Sequence, residues 1–153
     1  MIFGMSTSQE IVSLLGLTPL PVEGGQFAQS WRSPTVSAIY YLLAAPEFSA
    51  MHRLDRTEIY NYHAGAPTRM LLLSPSGSVE TAVLGTDLAA GQRPQVVVPP
   101  GTWQASETLG EWTLMGCVVV PPYTDDCVEF GTAAALAAGY PTHAEEITRL
   151  CRS

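Results

Sequence analysis

The sequence predicts an all-β domain, a sandwich or a barrel, with short helices at both ends of the chain. One reason is the frequency of predicted turns, because 13 glycines and 12 prolines divide the 153 residues into short segments. A second is that runs rich in β-branched, apolar and aromatic residues fill the segments between the turns. A third is that helical spacing of apolar residues returns only near the two ends. A single domain over residues 1–153 is long enough to bury a core.

The N-terminal helix is predicted from apolar residues at helical spacing. Ser8 is the predicted N-cap, and Ile11, Leu14 and Leu15 recur on one face. Gly16 then ends the helix, because glycine is a common residue just after a helix C-terminus.

Short strands are predicted across a β core of about residues 23–130. Turns rich in glycine, proline and serine separate them, as at Ala64–Pro67, Ser74–Gly77 and Pro99–Gly101. The predicted strands cover Ser37–Leu43, Glu58–His63, Arg69–Leu73, Ser78–Leu84, Gln95–Val98 and Trp112–Val120.

Two short helices are predicted after the β core, within about residues 132–152. Thr132–Ala138 is rich in alanine, the strongest helix former, and Gly139 is a natural stop. Pro141 restarts the chain, and the pattern from Thr142 predicts the second helix. No linker between these elements is long enough to divide the chain, so one domain is expected.

Charge and composition exclude several classes of function. The chain has 14 acidic residues against seven basic ones, all of them arginine, and a net charge of −7. Without lysine, Schiff-base chemistry and a P-loop lysine are ruled out. So few and unclustered cations argue against binding nucleic acid or an anionic membrane, which both attract positive charge.

A cytoplasmic, reduced protein is the expected setting. Cys117, Cys127 and Cys151 are odd in number and show no Cys-x-x-Cys spacing. The first eight residues lack the charged and apolar regions of a secretory leader. The apolar runs are far shorter than the ~18 residues that a membrane span requires.

The segment between residues 51 and 65 is the first candidate for chemistry. On a strand starting at Glu58, the two-residue period places Glu58, Tyr60 and Tyr62 on one face. A carboxylate and two phenols on one face suit the polar lining of a barrel cavity. His52 precedes the turn into this strand and is expected to lie beside Glu58 from a neighbouring strand. An exposed glutamate and an ordinary surface histidine are the alternative.

A second candidate segment, Pro99–Gln104, follows an apolar strand. Its rigid turn leads into another strand, on which Thr102 and Gln104 share one face and Trp103 takes the other. Alone this pattern is a weak signal, because turns of proline and glycine are common.

Together the two segments resemble the two motifs of the cupin superfamily. The first motif is His-x-His, three or four residues, Glu, six residues and Gly, and its positions hold His52, Leu54, Glu58 and Gly65. The second is Pro-x-Gly, two residues and His, and Gln104 stands in the place of that His. The chain is identified as a member of the small cupin group designated DUF985 (cupin-5). Further matches to that group are Glu23–Phe27, Ser37–Tyr40, Gly65–Pro67, Leu84–Gly85, Pro94–Ala105, Gly116–Cys117 and Tyr140–His143.

Two departures from that family fall within the matching segments. Members usually have Tyr-Phe-Arg-Glu-Thr after Glu-Gly-Gly, whereas this chain has Gln26–Ser30 and lacks that arginine and glutamate. Members usually have Asp-Glu-x-Trp-His around the motif glutamate, whereas this chain has Thr57–Asn61. We therefore expect a pocket suited to a less polar or differently shaped substrate than that of the typical member.

The resemblance implies a jelly-roll barrel of two antiparallel sheets, in which His52, Glu58 and Gln104 form one facial set. Such a set suits Fe, Mn, Ni or Zn only weakly, because Leu54 and Gln104 replace two of the four usual ligands. The expected cofactor is therefore none, or a weakly held divalent metal.

Without a metal, the same side chains are expected to carry acid–base chemistry. His52 and Glu58 would move protons, and Tyr60 and Tyr62 would donate to a substrate oxygen. An arginine would hold an acid group of the substrate. The predicted substrate-binding residues are Arg53, Arg69, Thr102 and Gln104.

Three functions are open on the sequence alone, each with a small-molecule partner. The first is an isomerase, epimerase, cyclase or lyase that acts on a small oxygenated metabolite by proton transfer. The second is a metal-dependent oxygenase or decarboxylase, and the third is a non-catalytic binder of a small ligand. A homodimer paired through sheet edges is also expected, since a bare edge strand invites aggregation.

Overall fold

A computed structural model describes residues 7–153 as two antiparallel sheets with short helices before and after them. Within that range, none of the helices has the length and hydropathy that crossing a bilayer requires. The helices are α1 (Ser8–Leu15), α2 (Ala133–Gly139) and α3 (Ala144–Arg149), with 3₁₀ turns at Leu88–Ala90 and Pro141–His143. The strands are β1 (Thr18–Pro19), β2 (Gln26–Arg32), β3 (Ser37–Ala44), β4 (Phe48–Leu54), β5 (Thr57–Gly65), β6 (Thr68–Leu73), β7 (Val79–Leu84), β8 (Gln95–Val98), β9 (Trp103–Thr108), β10 (Trp112–Val120) and β11 (Val128–Phe130).

The strand order places β4 and β5, which follow each other in the chain, in opposite sheets of a barrel. One sheet has the order β1-β2-β3-β10-β5-β8, and the other has the order β11-β4-β9-β6-β7. All strand pairs within the two sheets are antiparallel. The chain changes sheet after β3, after β4 and after β5, so that β4 and β5 lie in opposite sheets. These features confirm the predicted all-β fold of two antiparallel sheets.

Two apolar layers explain the continuous hydrophobic run of β6. Met70 and Leu72 point between the sheets, where they join the main core with Tyr41, Leu43 and side chains from β5, β8 and β10. Leu71 and Leu73 alternate to the other face and pack beneath the C-terminal helices. A strand buried on both faces reads as uninterrupted apolar sequence.

The helices cover part of each outer face. Ile11 of α1 packs with Leu17, Leu42 and Trp112 on the outside of the six-stranded sheet. Leu136 of α2 packs with α3 side chains on the outside of the five-stranded sheet. The space between the sheets is therefore left to strand side chains and to the cavity described below.

The predicted strands agree with the structure at Gln95–Val98 and Trp112–Val120, and the other four differ by two residues or fewer at either end. The strands β1, β2, β4 and β11 were not predicted. β4 contains no valine, isoleucine or threonine, and β2 is half polar, so neither shows the composition typical of strands. Their pairing with β9 and β3 supplies the stabilisation that local propensity does not.

The helix boundaries need three corrections. Gly139 is the last residue of α2 and not the residue that follows it, since the C-cap is Tyr140. The N-cap of α1 is Thr7 and not Ser8, since the Thr7 hydroxyl accepts a hydrogen bond from the Glu10 amide. The last α-helix begins at Ala144 and not at Thr142, because Pro141–His143 forms a 3₁₀ turn first. Gly16 does end α1, in the left-handed conformation at φ 65°.

An uncharged row crosses the outer face of the six-stranded sheet. The strand registers align its members on neighbouring strands, and at its two ends Trp31 is 62% exposed and Val97 is 52% exposed. The row consists of Trp31, Ala38, Val118, Ile59 and Val97. The sheet edges, in contrast, are short, since β1, β11 and β8 have two, three and four residues. We therefore propose that the expected homodimer forms through this row and not through an edge. Each chain has a net charge of −7, and contact through an uncharged row brings no like-charged side chains together.

This proposal predicts a dimer at micromolar concentration that Trp31→Glu converts to a monomer. Each new carboxylate would be buried in an uncharged interface without a positive partner, which is costly. Sedimentation velocity measures the change. Leu88→Glu, at another exposed apolar residue, is the matched control and should leave the dimer intact. A monomeric parent protein would contradict the proposal.

Candidate functional site

A cavity of about 180 Å³ lies inside the barrel, between the inner face of the six-stranded sheet and β4. Apolar side chains form much of its wall, among them Phe27, Ile39 and Leu54. His52 and Glu58 also face into it. The cavity is therefore largely apolar, with its ionisable side chains gathered in one place.

His52 and Glu58 reach the cavity from opposite walls. His52 lies on β4 and is 1% exposed, and Glu58 lies on β5 and is 7% exposed. Gln104 lies on β9 directly opposite His52 in the strand register. Its amide Nε2 donates a hydrogen bond of 2.8 Å to Glu58 Oε1. One buried hydrogen bond thus joins the two sheets and fixes the orientation of the Glu58 carboxyl group.

Glu23 completes the ionisable cluster from a loop. Its Oε1 lies 3.4 Å from His52 Nε2, and its Oε2 accepts a hydrogen bond of 2.9 Å from the Ser49 hydroxyl. His52 Nδ1 lies 2.6 Å from the Ala50 carbonyl oxygen, which can only accept, so Nδ1 carries a proton. His52 Nε2 and the Glu23 carboxyl group therefore face each other, so a proton held by either group can lie between them.

A glycine pair holds Glu23 in this position. Gly24 and Gly25 both have positive φ, at 98° and 78°. A Cβ at Gly25 would lie 2.7 Å from the Tyr41 ring, and the Tyr41 hydroxyl donates a 2.6 Å hydrogen bond to the Gly24 carbonyl. The loop between β1 and β2 is thus fastened to β3, which directs Glu23 at His52.

Burial raises the pKa of Glu58 to about 7. This value is the net result of several contributions: Glu23 also raises the pKa, whereas His52, Gln104 and Tyr60 lower it. Burial is the main cause because the carboxyl group lies in the low-dielectric space between the sheets. Near neutral pH, Glu58 is therefore present in both its protonated and its ionised form.

The neighbouring phenols and the thiol stay protonated. Burial is the main cause that raises the pKa of Tyr41, Tyr60 and Cys117 well above the usual range, and Glu23 adds to each shift. Tyr60 lines the cavity as a neutral hydroxyl group, which suits a hydrogen-bond donor. Cys117 is a buried thiol in the cavity wall, without the exposure and cationic surroundings of a reactive cysteine.

Four of the predicted site residues converge, namely His52, Glu58, Tyr60 and Gln104. Tyr62 shares the inward face of β5 but its hydroxyl donates to the Gly65 carbonyl at 2.6 Å, and it does not line the cavity. Thr102 is buried before β9 and does not line the cavity either. The two-residue period gives the face of a side chain but not its depth along the barrel.

Both predicted arginines lie outside the cavity. Arg53 pairs with Glu129 at 2.8 Å and stacks on Trp103, because it neighbours inward-facing His52 and alternation turns it outward. Arg69 pairs with Glu146 of α3, since it precedes inward-facing Met70. The expectation that an arginine holds an acid group of a substrate in the cavity is therefore wrong for these two residues.

Sequence reasoning missed the role of Glu23. Its Glu-Gly-Gly segment carried part of the family resemblance, but nothing in its spacing connects it with His52, 29 positions later. Only the strand order, which sets the loop before β2 beside β4, brings the two together. The glycine pair was the available signal, because two successive glycines indicate a loop of unusual backbone conformation.

The side chains of the site do not fit a tightly held metal ion. Within residues 7–153, no three His, Cys, Asp or Glu side chains are arranged to hold one. Gln104 presents an amide N–H to Glu58, which is a donor and not a ligand. Leu54 lines the cavity at the position of the second motif histidine. No step below is therefore assigned to a metal.

A jelly-roll barrel in which successive strands, here β4 and β5, turn a histidine and a glutamate into the interior is typical of the cupins. More specifically, the chain belongs to the family described as Cupin superfamily (DUF985), whose model matches residues 9–131. A crystal structure of a protein from Shewanella oneidensis is 38% identical, with a TM-score of 0.91 over 97% of this chain and 99% of that one. A hypothetical protein from Leishmania major is 24% identical, with a TM-score of 0.89 over 97% of this chain and 100% of that one.

More distant structures share the fold alone. Oxalate decarboxylase from Bacillus subtilis is 14% identical, with a TM-score of 0.62 over 88% of this chain and 37% of that enzyme. Mn(II) centres are described for that enzyme. A search of the curated proteins found none similar to this chain.

The raised pKa of Glu58 predicts a pH dependence of stability. The folded state holds a proton on Glu58 up to pH of about 7, whereas the unfolded chain releases it near the ordinary value of 4.5. The extra proton stabilises the folded state fully below pH 4.5, and this stabilisation is lost as the pH rises to about 7. The free energy of unfolding should fall over that range by an amount on the order of 3 kcal/mol. Urea unfolding at several pH values measures it.

Glu58→Gln should remove this slope, because an amide cannot titrate. Glu129→Gln is the matched control, since Glu129 is an exposed carboxylate on the outer surface, and it should keep the slope. Equal pH dependence in both variants would contradict the prediction.

Proposed function

We propose that this cupin is an enzyme that transfers protons on a small oxygenated metabolite, as an isomerase, epimerase, cyclase or lyase. The observation that carries the proposal is the Glu58 carboxyl group, which is buried at the cavity beside His52 and has a pKa of about 7. A group with that pKa is available near neutral pH both as a base and as an acid. Perturbed carboxyl groups in cavities are typical of catalytic sites.

Glu58 is the proposed base. Its Oε1 is held by Gln104, which keeps the carboxyl group in one orientation towards the cavity. As the carboxylate, it removes a proton from a substrate carbon next to a carbonyl group. The neutral Tyr60 hydroxyl donates a hydrogen bond to the oxygen on which negative charge develops.

The His52–Glu23 pair is the proposed acid. The Ala50 carbonyl fixes Nδ1 as the protonated nitrogen, so the exchangeable proton is the one between Nε2 and Glu23. That proton is delivered to a different atom of the substrate, or to a leaving group. The proton on Glu58 then returns to the pair, so that the site is restored and the proton count balances.

The experiment follows proton transfer without a known product. Candidate small hydroxy and keto compounds are incubated with the protein in D₂O, and NMR detects deuterium at exchangeable carbon positions. His52→Ala and Glu58→Gln should each slow the exchange by about 10²-fold or more. Glu129→Gln, which changes a surface carboxylate, should leave it unchanged.

The pH dependence gives an independent prediction. Exchange at low substrate concentration should rise with pH and level off above about 7, because Glu58 must be ionised to act as the base. Rates are measured from pH 5 to 9. A compound that binds in the cavity but never exchanges would instead support the non-catalytic binder.

A further inference from the structure

The cavity contains two carboxyl groups and no arginine. Glu23, His52 and Glu58 are the ionisable acid–base groups of its wall, together with neutral phenols and one thiol. The chain has no lysine, and all seven arginines lie within the described residues 7–153. None of the seven lines the cavity.

Two arginines donate to backbone carbonyls of the loop that carries Tyr123, a residue of the cavity wall. Arg32 donates to the Tyr123 carbonyl at 2.7 Å, and Arg56 donates to the Pro122 carbonyl at 2.6 Å and pairs with Asp55. The Tyr123 amide in turn donates to the Ser37 hydroxyl. These contacts fasten the loop that carries Tyr123 beside Ser37, and both Tyr123 and Ser37 belong to the cavity wall.

Charge pairing within the site leaves no free cation for a ligand. Glu23 Oε1 lies 3.4 Å from His52 Nε2, so a positive charge on the imidazole would already face a carboxylate. Glu58 therefore adds a negative charge with no positive partner when it ionises, and Gln104 can only offer it a neutral donor. A second negative charge from a ligand would meet this carboxylate in a low-dielectric space that contains no arginine or lysine.

The size of the cavity limits the ligand further. An engineered apolar cavity of about 150 Å³ is large enough to hold benzene. At about 180 Å³, this cavity takes a molecule of that size with one or two polar substituents. Apolar walls from Leu20, Phe27, Ile39 and Val119 suit the body of such a molecule, and the Tyr60 hydroxyl suits an oxygen.

We infer that the cavity binds an uncharged, partly apolar molecule about the size of a substituted benzene ring, and that it rejects carboxylates and phosphates. The inference rests on the proposed function in one respect, namely that this cavity is the place where the substrate binds. It assigns a substrate class that excludes small dicarboxylates.

The test compares benzamide and benzoate, which have nearly the same shape and differ in charge. Both are titrated into the full chain at pH 8, where Glu58 is mostly ionised, with affinity measured by NMR. Benzamide should bind at least ten-fold more tightly than benzoate. Shifts of the Leu54 and Ile39 methyl signals locate the binding in the cavity.

Two variants separate the local charge from the net charge of the protein. Glu58→Gln should narrow the preference for benzamide at least three-fold, whereas Glu129→Gln should leave it unchanged. If Glu58→Gln does not fold, a narrower preference in the parent protein at pH 6 gives the same information, because Glu58 is then mostly protonated.

Several outcomes would overturn the inference. They are benzoate binding as tightly as benzamide at pH 8, neither compound shifting the cavity signals, or benzylamine binding more tightly than benzamide. Benzamide binding in the cavity of a protein that exchanges no substrate protons would leave the inference intact and reject the proposed function. Proton exchange on a carboxylate substrate would support the proposed function and reject the inference.

Discussion

The burial of one carboxyl group between the two sheets is the constraint on which the site depends. Glu58 comes from the six-stranded sheet and Gln104 from the five-stranded sheet, and the hydrogen bond between them crosses the barrel. A buried polar group is costly without a partner, so this contact stabilises both the carboxyl group and the closure of the barrel. The same burial raises the pKa of Glu58 to about 7. Fold stability and proposed chemistry therefore share a single side chain.

Glu23 gives the site its second carboxyl group and distinguishes it from a simple His–Glu pair. Its position depends on Gly24 and Gly25, whose positive φ values let the loop approach Tyr41 closely. Within the described residues, no arginine lines the cavity and no three side chains are arranged to hold a metal ion. A site of this kind suits the proposed transfer of protons. The barrel fold is shared with the family, whereas the proposed chemistry depends on Glu23, His52 and Glu58.

The sequence predicted most of the fold because its strong signals coincide with buried strands. β10 and β8 are rich in valine and bounded by turns, so their limits were correct. β4 was not predicted, because its packing on β9 outweighs a composition poor in strand formers. Alternation predicted that Glu58 and Tyr60 face inward, but it gives no depth along the barrel and could not place Tyr62 away from the cavity. The outward direction of Arg53 was missed because β4, on which alternation turns it away from the cavity, was not predicted. Glu23 required knowledge of the strand order, which local patterns do not contain.

The central claim is that Glu58 holds its proton up to neutral pH inside the folded barrel. The most direct measurement is an NMR titration of the side-chain carboxyl carbon of Glu58 in ¹³C-labelled protein, assigned by comparison with Glu58→Gln. We expect a midpoint near pH 7. A midpoint near the ordinary value of 4.5 would show a solvated carboxylate, and it would contradict the account of both the cavity and the proton transfer.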